Sequence, residues 1–290
     1  MSYADERVAT MEFSLSRTEV GRFEYRSEAT STNDVLRELA TADAAAWPDL
    51  SVIVTDNQTQ GRGRLGRVWL APTGKALAVS VLVRPRTKTG NSLPTASLGW
   101  FPLLAGAAMT RAVRTVVEAY IKPVEDVKET EAPRHDTTLK WPNDVLIDGY
   151  KVCGILCELL PDAQGIVIGA GLNLSLDEHD LPTLTSTSLL LVTRTVPDPD
   201  AVLAAYLHEL VTLYEAFVKA NGDAEQSGLH AEVSALCGTL GSAVRVELPG
   251  GTDLVGTATG IDAQGRLTVV NQADGEERSV AAGDVTHLRY

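Results

Sequence analysis

Between residues 58 and 69 the chain reads QTQGRGRLGRVW, spacing Gly61, Gly63 and Gly66 among Arg62, Arg64 and Arg67. Glycines let backbone approach a ligand closely and adopt positive φ, and guanidiniums grip phosphate or carboxylate oxygens through two parallel hydrogen bonds. The segment reads as an anion-binding loop. The GxxxxGK[ST] spacing of a P-loop is absent, and no helix signal follows as the dinucleotide GxGxxG fingerprint requires. An arginine-glycine RNA contact and a flexible basic loop are the competing readings.

A second cluster, LKWPNDVLIDGYKVCGIL (139–156), gathers Lys140, Asp144 and Lys151 around two strands joined at Asp148 and Gly149. Lysine is a compact point charge suited to neutralising a phosphate or carboxylate. Simple alternation puts Lys151 on the face opposite Val152, Gly154 and Leu156. Asp144 suits a metal ligand or a turn residue, and the sequence leaves both open. In EATSTNDVLREL (28–39), Ser31, Thr32 and Asn33 stand at the entry to an amphipathic helix. They serve there as N-cap groups, or as polar partners for a small molecule beside the helix N-terminus. GAGLNLS (169–175) combines glycines with Asn173, whose amide donates and accepts as an adenine edge requires.

These groups need a sheet to hold them. The runs SVIVT (51–55) and ALAVSVLV (76–83) alternate with helical patterns, foremost WFPLLAGAAMTRAVRTVVEAY (100–120), which implies an α+β domain with a mixed sheet. Residues 122–138 lose apolar periodicity and read as a solvent-exposed connection. Strands return as TLKWPNDVLI (138–147), KVCGILCELL (151–160) and GIVIGAGLNLS (165–175), two of them a hairpin. A long helix is expected from Asp198 as N-cap, with Pro199 in its first turn. It should bury Val202, Leu203, Tyr206, Leu210 and Phe217 and stop by Gly222. From about Cys237, short alternating strands separated by turns point to a small β-barrel, too small to bury much alone and so expected to dock. The expected division is 1–235 for the larger domain and 236–290 for the barrel.

Composition narrows the classes of function. The 290 residues carry 25 Lys plus Arg against 38 Asp plus Glu, a net charge of −13, the wrong sign for a protein that coats nucleic acid. No window approaches the roughly 18 consecutive apolar residues of a membrane span, and the first 20 residues hold no signal-peptide core, so a cytoplasmic location is expected. Three cysteines fit a reducing compartment. Cys153 and Cys157, four residues apart on a strand, stand about 13 Å from each other, beyond the roughly 7 Å that a disulfide spans. They read as small buried side chains.

Together, STN at 31–33, Q-x-x-GRGR at 58–64 with Trp69 following, KWPND at 140–144, K-x-x-GIL at 151–156 and GxGxNL at 169–174 resemble the biotin protein ligases. The motifs stand in that family's order, and the stretch from GSAVRVEL through GIDAQGRL is similar to its SH3-like C-terminal domain. The resemblance implies an ATP-dependent enzyme that forms biotinoyl-5′-AMP and then biotinylates a lysine on the biotin carrier domain of a carboxylase. It places Ser31, Thr32, Asn33, Gln58, the backbone of Arg62, Gly63 and Arg64, and Gly154 and Leu156 at biotin, with Lys151 at the biotin carboxylate and the α-phosphate. It puts Trp69 beside the acyl chain or nucleotide and Asn173 at the adenine, and it adds Arg62, Arg64, Arg67 and Asn143 to the nucleotide side. Lys140 and Asp144 become candidates for catalysis, and Asp144 for Mg²⁺. Residues 61–67 should be mobile without ligand and ordered over the adenylate.

Some members of the family also repress transcription through an N-terminal helix-turn-helix. The roughly 30 residues ahead of STN are too few for that motif, so the expectation is a ligase without it, with no nucleic-acid or membrane partner, as a monomer or weak homodimer. The rivals are a lipoate ligase or lipoyl transferase, and a non-catalytic RNA-binding or protein-binding module.

Overall fold

The computed structural model describes residues 12–120, 135–248, 251–281 and 283–288. Its first sheet has seven strands, β1 (Arg22–Tyr25), β2 (Ser51–Thr55), β3 (Ala76–Val83), β4 (Thr137–Lys140), β5 (Asp144–Ile147), β6 (Tyr150–Leu159) and β7 (Ile166–Asn173). They lie in the order β1-β2-β3-β7-β6-β5-β4. Only β1 and β2 pair in parallel. Among the described residues five α-helices accompany them: α1 (Thr32–Ala42), α2 (Trp100–Tyr120), α3 (Leu189–Thr193), α4 (Pro199–Lys219) and α5 (Leu229–Leu236).

β2 and β3 are buried along their whole length. Apolar cover on both faces explains why they read as continuous hydrophobic runs and not as alternating ones. Val52, Val54, Leu77, Val79 and Val81 pack with α2 and α4 in the main core. Ile53 and Leu82, pointing the other way, meet Leu36 and Ala40 of α1 and Trp47. α4 begins as its sequence indicates, with the Asp198 side chain accepting from Asp200 N and Pro199 in the first turn. It is long and apolar enough to cross a membrane by composition, yet Val202, Leu203, Tyr206, Leu210 and Phe217 are in the core.

Two sequence expectations need correction. TLKWPNDVLI is not one strand: it breaks at a cis Trp141–Pro142 bond into β4 and β5, with Lys140 paired to Asp144. Proline lacks an N–H and so cannot continue a ladder. Of the stretch 122–138, residues 122–134 lie outside the described residues, but Thr137 and Thr138 belong to β4, and Thr137 is buried. β-branched residues on an edge strand replaced the expected exposed connection there.

The second sheet runs β11-β10-β9-β8-β12, made of β8 (Ala243–Glu247), β9 (Asp253–Ile261), β10 (Leu267–Asn271), β11 (Glu277–Val280) and β12 (Asp284–His287). These strands form the SH3-like barrel. EERSVAAGDV (276–285), which reads as a single stretch, supplies β11 and only the first two residues of β12. The barrel docks through its β9–β10 turn. Trp100 Nε1 donates to Ala263 O at 2.9 Å and Trp141 Nε1 to Gly265 O at 3.0 Å. A side chain at Gly99 would stand 2.5 Å from Gln264 O, so the close approach needs glycine.

Trp141→Phe keeps an aromatic ring but gives up part of the buried indole and leaves a buried carbonyl without its donor. It should cost about 1–3 kcal/mol in urea unfolding, and an unchanged midpoint would show that other contacts hold the turn.

Candidate active site

On the α1 face of the sheet, α1 covers one half and leaves the other bare. Ser31 caps the helix, its hydroxyl accepting from Asp34 N at 3.4 Å. Thr32 donates to Gln58 Oε1 twice, from N at 2.8 Å and from Oγ1 at 3.2 Å. Asn33 Nδ2 donates to Leu156 O at 3.2 Å and to Glu158 Oε2 at 2.8 Å. Ser80, wholly buried on β3, donates to Thr32 Oγ1 at 2.8 Å and Asn33 Oδ1 at 2.6 Å. Gly169 makes room, since a Cβ there would lie 2.3 Å from Asn33 Oδ1. Sequence reasoning missed Ser80 and Glu158. Their signal was a lone polar residue inside an apolar run, ALAVSVLV and GILCELL.

Lys151 is not on the face that alternation gives it. β5 and β6 slip register so that Val145 pairs with Cys153 and Leu146 with Lys151, which makes Val152 the extra residue of a bulge. Val152 and Cys153 then both point into the core, and Lys151 comes round to the side of Gly154 and Leu156. A Cβ at Gly154 would sit 2.9 Å from Lys151 Nζ. Lys151 Nζ reaches Asp144 Oδ1 at 2.6 Å. Its backbone is clamped by residues 185–187, donating to Thr185 O and accepting from Thr187 N, both at 2.8 Å. Asn173 Nδ2 donates to Thr187 O at 2.9 Å. Burial pushes the Cys153 thiol up to about 12, and Cys157 is raised for the same reason, so neither is a ready nucleophile.

The glycine-arginine loop closes on itself. Trp69 N donates to Gly61 O at 2.9 Å and Gly63 N to Arg67 O at 2.7 Å, around a single 3-10 turn, Arg64–Gly66. Leu65 and Gly66 take positive φ at that turn. The Trp69 ring lies on Gly171, where a Cβ would be 2.9 Å from it. Arg62 reaches Asp34 Oδ1 at 2.5 Å and Glu158 Oε1 at 3.3 Å. Arg64 donates to Asn143 Oδ1 at 2.9 Å and to Gly283 O at 3.2 Å, and Arg67 pairs with Asp284. Burial raises the Asp284 carboxyl, but the hydrogen bond and charge of Arg67 outweigh that and hold it below the usual carboxylate range.

One cavity of about 400 Å³ brings these groups together. Every candidate from the sequence lines it: Ser31, Thr32, Asn33, Gln58, Arg62, Gly63, Arg64, Arg67, Trp69, Lys140, Asn143, Asp144, Lys151, Gly154, Leu156 and Asn173. Asp284, Val285 and Thr286 of the barrel form part of the wall, which no local pattern in the sequence announces.

Residues 26–173 match the Biotin/lipoate A/B protein ligase family and residues 239–288 the Biotin protein ligase C terminal domain. The Biotin--[acetyl-CoA-carboxylase] ligase of Mycobacterium tuberculosis is 37% identical over 263 residues, 91% of this chain and 88% of that protein. This chain belongs to the biotin protein ligases. The ligase is also similar to the biotin protein ligase from Aquifex aeolicus in complex with biotin and ATP. That likeness has a TM-score of 0.69 and 23% identity, covering 93% of this chain and 100% of that one, and it speaks for the fold. The biotin protein ligase from Leishmania major in complex with biotin matches at 26% identity and a TM-score of 0.57, over 90% of this chain and 99% of that one.

The Asp284 carboxyl stays charged until the pH falls below its depressed range, so the Arg67 tether is present throughout neutral pH and is lost only in acid. Asp284→Asn should free Arg67 at neutral pH and speed amide hydrogen exchange across residues 61–68 several-fold. Unchanged exchange would mean that Arg64 and the loop's own backbone bonds suffice.

Proposed function

We propose that the ligase activates biotin with ATP and transfers it to a lysine on the biotin carrier domain of a biotin-dependent carboxylase. The observation that carries this reading is one cavity lined both by hydrogen-bonding groups of Thr32, Asn33 and Gln58 and by the cations Lys140, Lys151 and Arg64. A cyclic urea needs the first and a carboxylate meeting a triphosphate needs the second. The family match and the M. tuberculosis relative's name support the same assignment.

In the first step a biotin carboxylate oxygen attacks the α-phosphorus of ATP. The bond from that phosphorus to the bridging oxygen of the β-phosphate breaks, and pyrophosphate leaves. Two anions must meet, so fixed positive charge at the reacting oxygens lowers the barrier. Lys151, aligned by Asp144 and by the clamp at 185–187, supplies that charge, with Lys140 and Arg64 in the same cavity wall. Trp69 flanks the nucleotide, Asn143 helps hold Arg64 there, and Asn173, its Nδ2 committed to Thr187 O, offers Oδ1 to the adenine amino group.

Mg²⁺ is the expected cofactor. Among the described residues no three His, Cys, Asp or Glu side chains converge on a metal site. Of the two carboxylates that line the cavity, Asp284 is paired with Arg67, and Asp144 alone would fit an ion held mainly by substrate phosphates and water. Such an ion would offset phosphate charge.

In the second step the acceptor's lysine amine attacks the acyl carbon of the mixed anhydride. The carbon–oxygen bond to phosphate breaks, AMP leaves and the nitrogen loses a proton as the amide forms. Residues 61–67, seated between the sheet and the barrel, keep water from that carbon until the acceptor arrives. We further propose a cytoplasmic location and a division of labour between residues 1–235 and 236–290.

The decisive assay is exchange of labelled pyrophosphate into ATP with biotin, and with lipoate in parallel, without acceptor. Exchange with biotin is expected. Exchange with lipoate alone would move the substrate to the dithiolane acids, and none with either would end the reading. Lys151→Ala should slow the exchange about 10²- to 10³-fold with an unchanged melting temperature. A rate like that of the parent would remove Lys151 from the chemistry.

A further inference from the structure

Ser80 is a hydroxyl with no solvent exposure in the middle of an apolar strand, in register with Gly169. Alanine would fill the same space without needing partners. The serine has two, and the hydrogens around it can be counted. Both hydrogens of Asn33 Nδ2 go to Leu156 O and Glu158 Oε2. The Thr32 N–H and O–H both go to Gln58 Oε1. The single Ser80 hydrogen lies between Asn33 Oδ1 and Thr32 Oγ1. The side-chain donors of Thr32, Asn33 and Ser80 are therefore consumed inside the protein.

Thr32 Oγ1 keeps a lone pair for a ligand, while Gln58, its Oε1 occupied, has its Nε2 hydrogens to offer. An acceptor beside a donor matches an N–H next to a C=O. The arrangement is also held firm by charge, because Glu158, which takes one Asn33 hydrogen, is paired with Arg37 and Arg62.

We propose that Ser80 is a positioning residue that fixes the hydrogen-bond polarity of the pocket floor, selecting ligands that present the N–H and C=O of a cyclic urea. This rests on the reading of Thr32, Asn33 and Gln58 as the biotin end of the cavity. Without the Ser80 hydrogen, Asn33 Oδ1 loses its donor and Thr32 is released to rotate and to donate as readily as accept. The floor then ceases to discriminate. Discrimination by a polar site depends on its groups being left unpaired by the wrong ligand.

The test uses the full chain and pyrophosphate exchange, with lipoate, which lacks both N–H and ureido carbonyl, as a competing acid. Ser80→Ala should raise KM for biotin about tenfold, the effect of losing one buried hydrogen-bond donor. KM for ATP should be unmoved, and inhibition by lipoate should be as in the parent. Ser80→Cys, similar in size and a weak donor, should fall between. In a Thr32→Val background, Ser80→Ala should add much less than it does alone. An unchanged biotin KM, a parallel loss of biotin and lipoate binding, or full additivity with Thr32→Val would each overturn the proposal. Absence of biotin-dependent exchange in the parent protein would instead remove the biotin reading itself.

Discussion

The ion pair between Lys151 and Asp144, 2.6 Å apart across the β5–β6 hairpin, is the contact around which the cavity is arranged. It exists because Val152 is an extra residue in its strand. Without that bulge the lysine would leave the cavity face and a core residue would take its place. The clamp at 185–187 fixes the same residue's backbone from the other side. Cations gathered in one cavity repel one another, and a carboxylate beside each offsets that cost, as Asp144 does for Lys151. Arg62 and Arg67 are likewise leashed by carboxylates, which offsets the mutual repulsion of the cluster.

The leashes differ in strength. Arg67 is 63% exposed in its side chain, and an ion pair that open to water is worth at most about 1 kcal/mol. An arriving phosphate can displace it. Arg64, deeper and bonded to an amide and a backbone carbonyl, is the firmer hold. Both grips end on or beside residues 283 and 284, so the loop's resting position depends on where the barrel sits. The barrel sits where Trp100 and Trp141 hold its β9–β10 turn. Trp141 belongs to the same KWPND segment as Lys140 and Asp144. That short motif thus lines the cavity and shares with Trp100 the docking of the second sheet.

Much of this was legible in the sequence, for identifiable reasons. β2, β3, α2 and α4 have long, strongly periodic or continuous apolar patterns, which packing reinforces. The cavity residues came from the order and spacing of motifs, not from periodicity. What stayed hidden depends on partners distant in the chain. The face of Lys151 depends on a register slip against β5, and alternation along β6 alone gives the wrong answer. The wall formed by Asp284, Val285 and Thr286 depends on how two sheets dock. Ser80 and Glu158 stand out as polar residues in apolar runs, but only the fold shows that both reach Asn33.

Where the cavity lies follows from side chains that are missing. Gly169 and Gly171, two apart on β7, share the α1 face of the sheet, and Gly171 is in register with Gly154 on β6. Three side chains from three separate elements lie over this bare patch: Asn33 over Gly169, Trp69 over Gly171 and Lys151 over Gly154. On the opposite face the intervening residues, Ala170, Ile155 and Cys153, are ordinary core. One face of β6 and β7 is thus devoted to stability, and the other is reduced to backbone at these three glycines so that groups from the helix, the loop and the hairpin can meet above them. The spacing GxGxN in this chain is a strand alternation before it is a binding motif. The residues it omits from one face are what give the ligand its room.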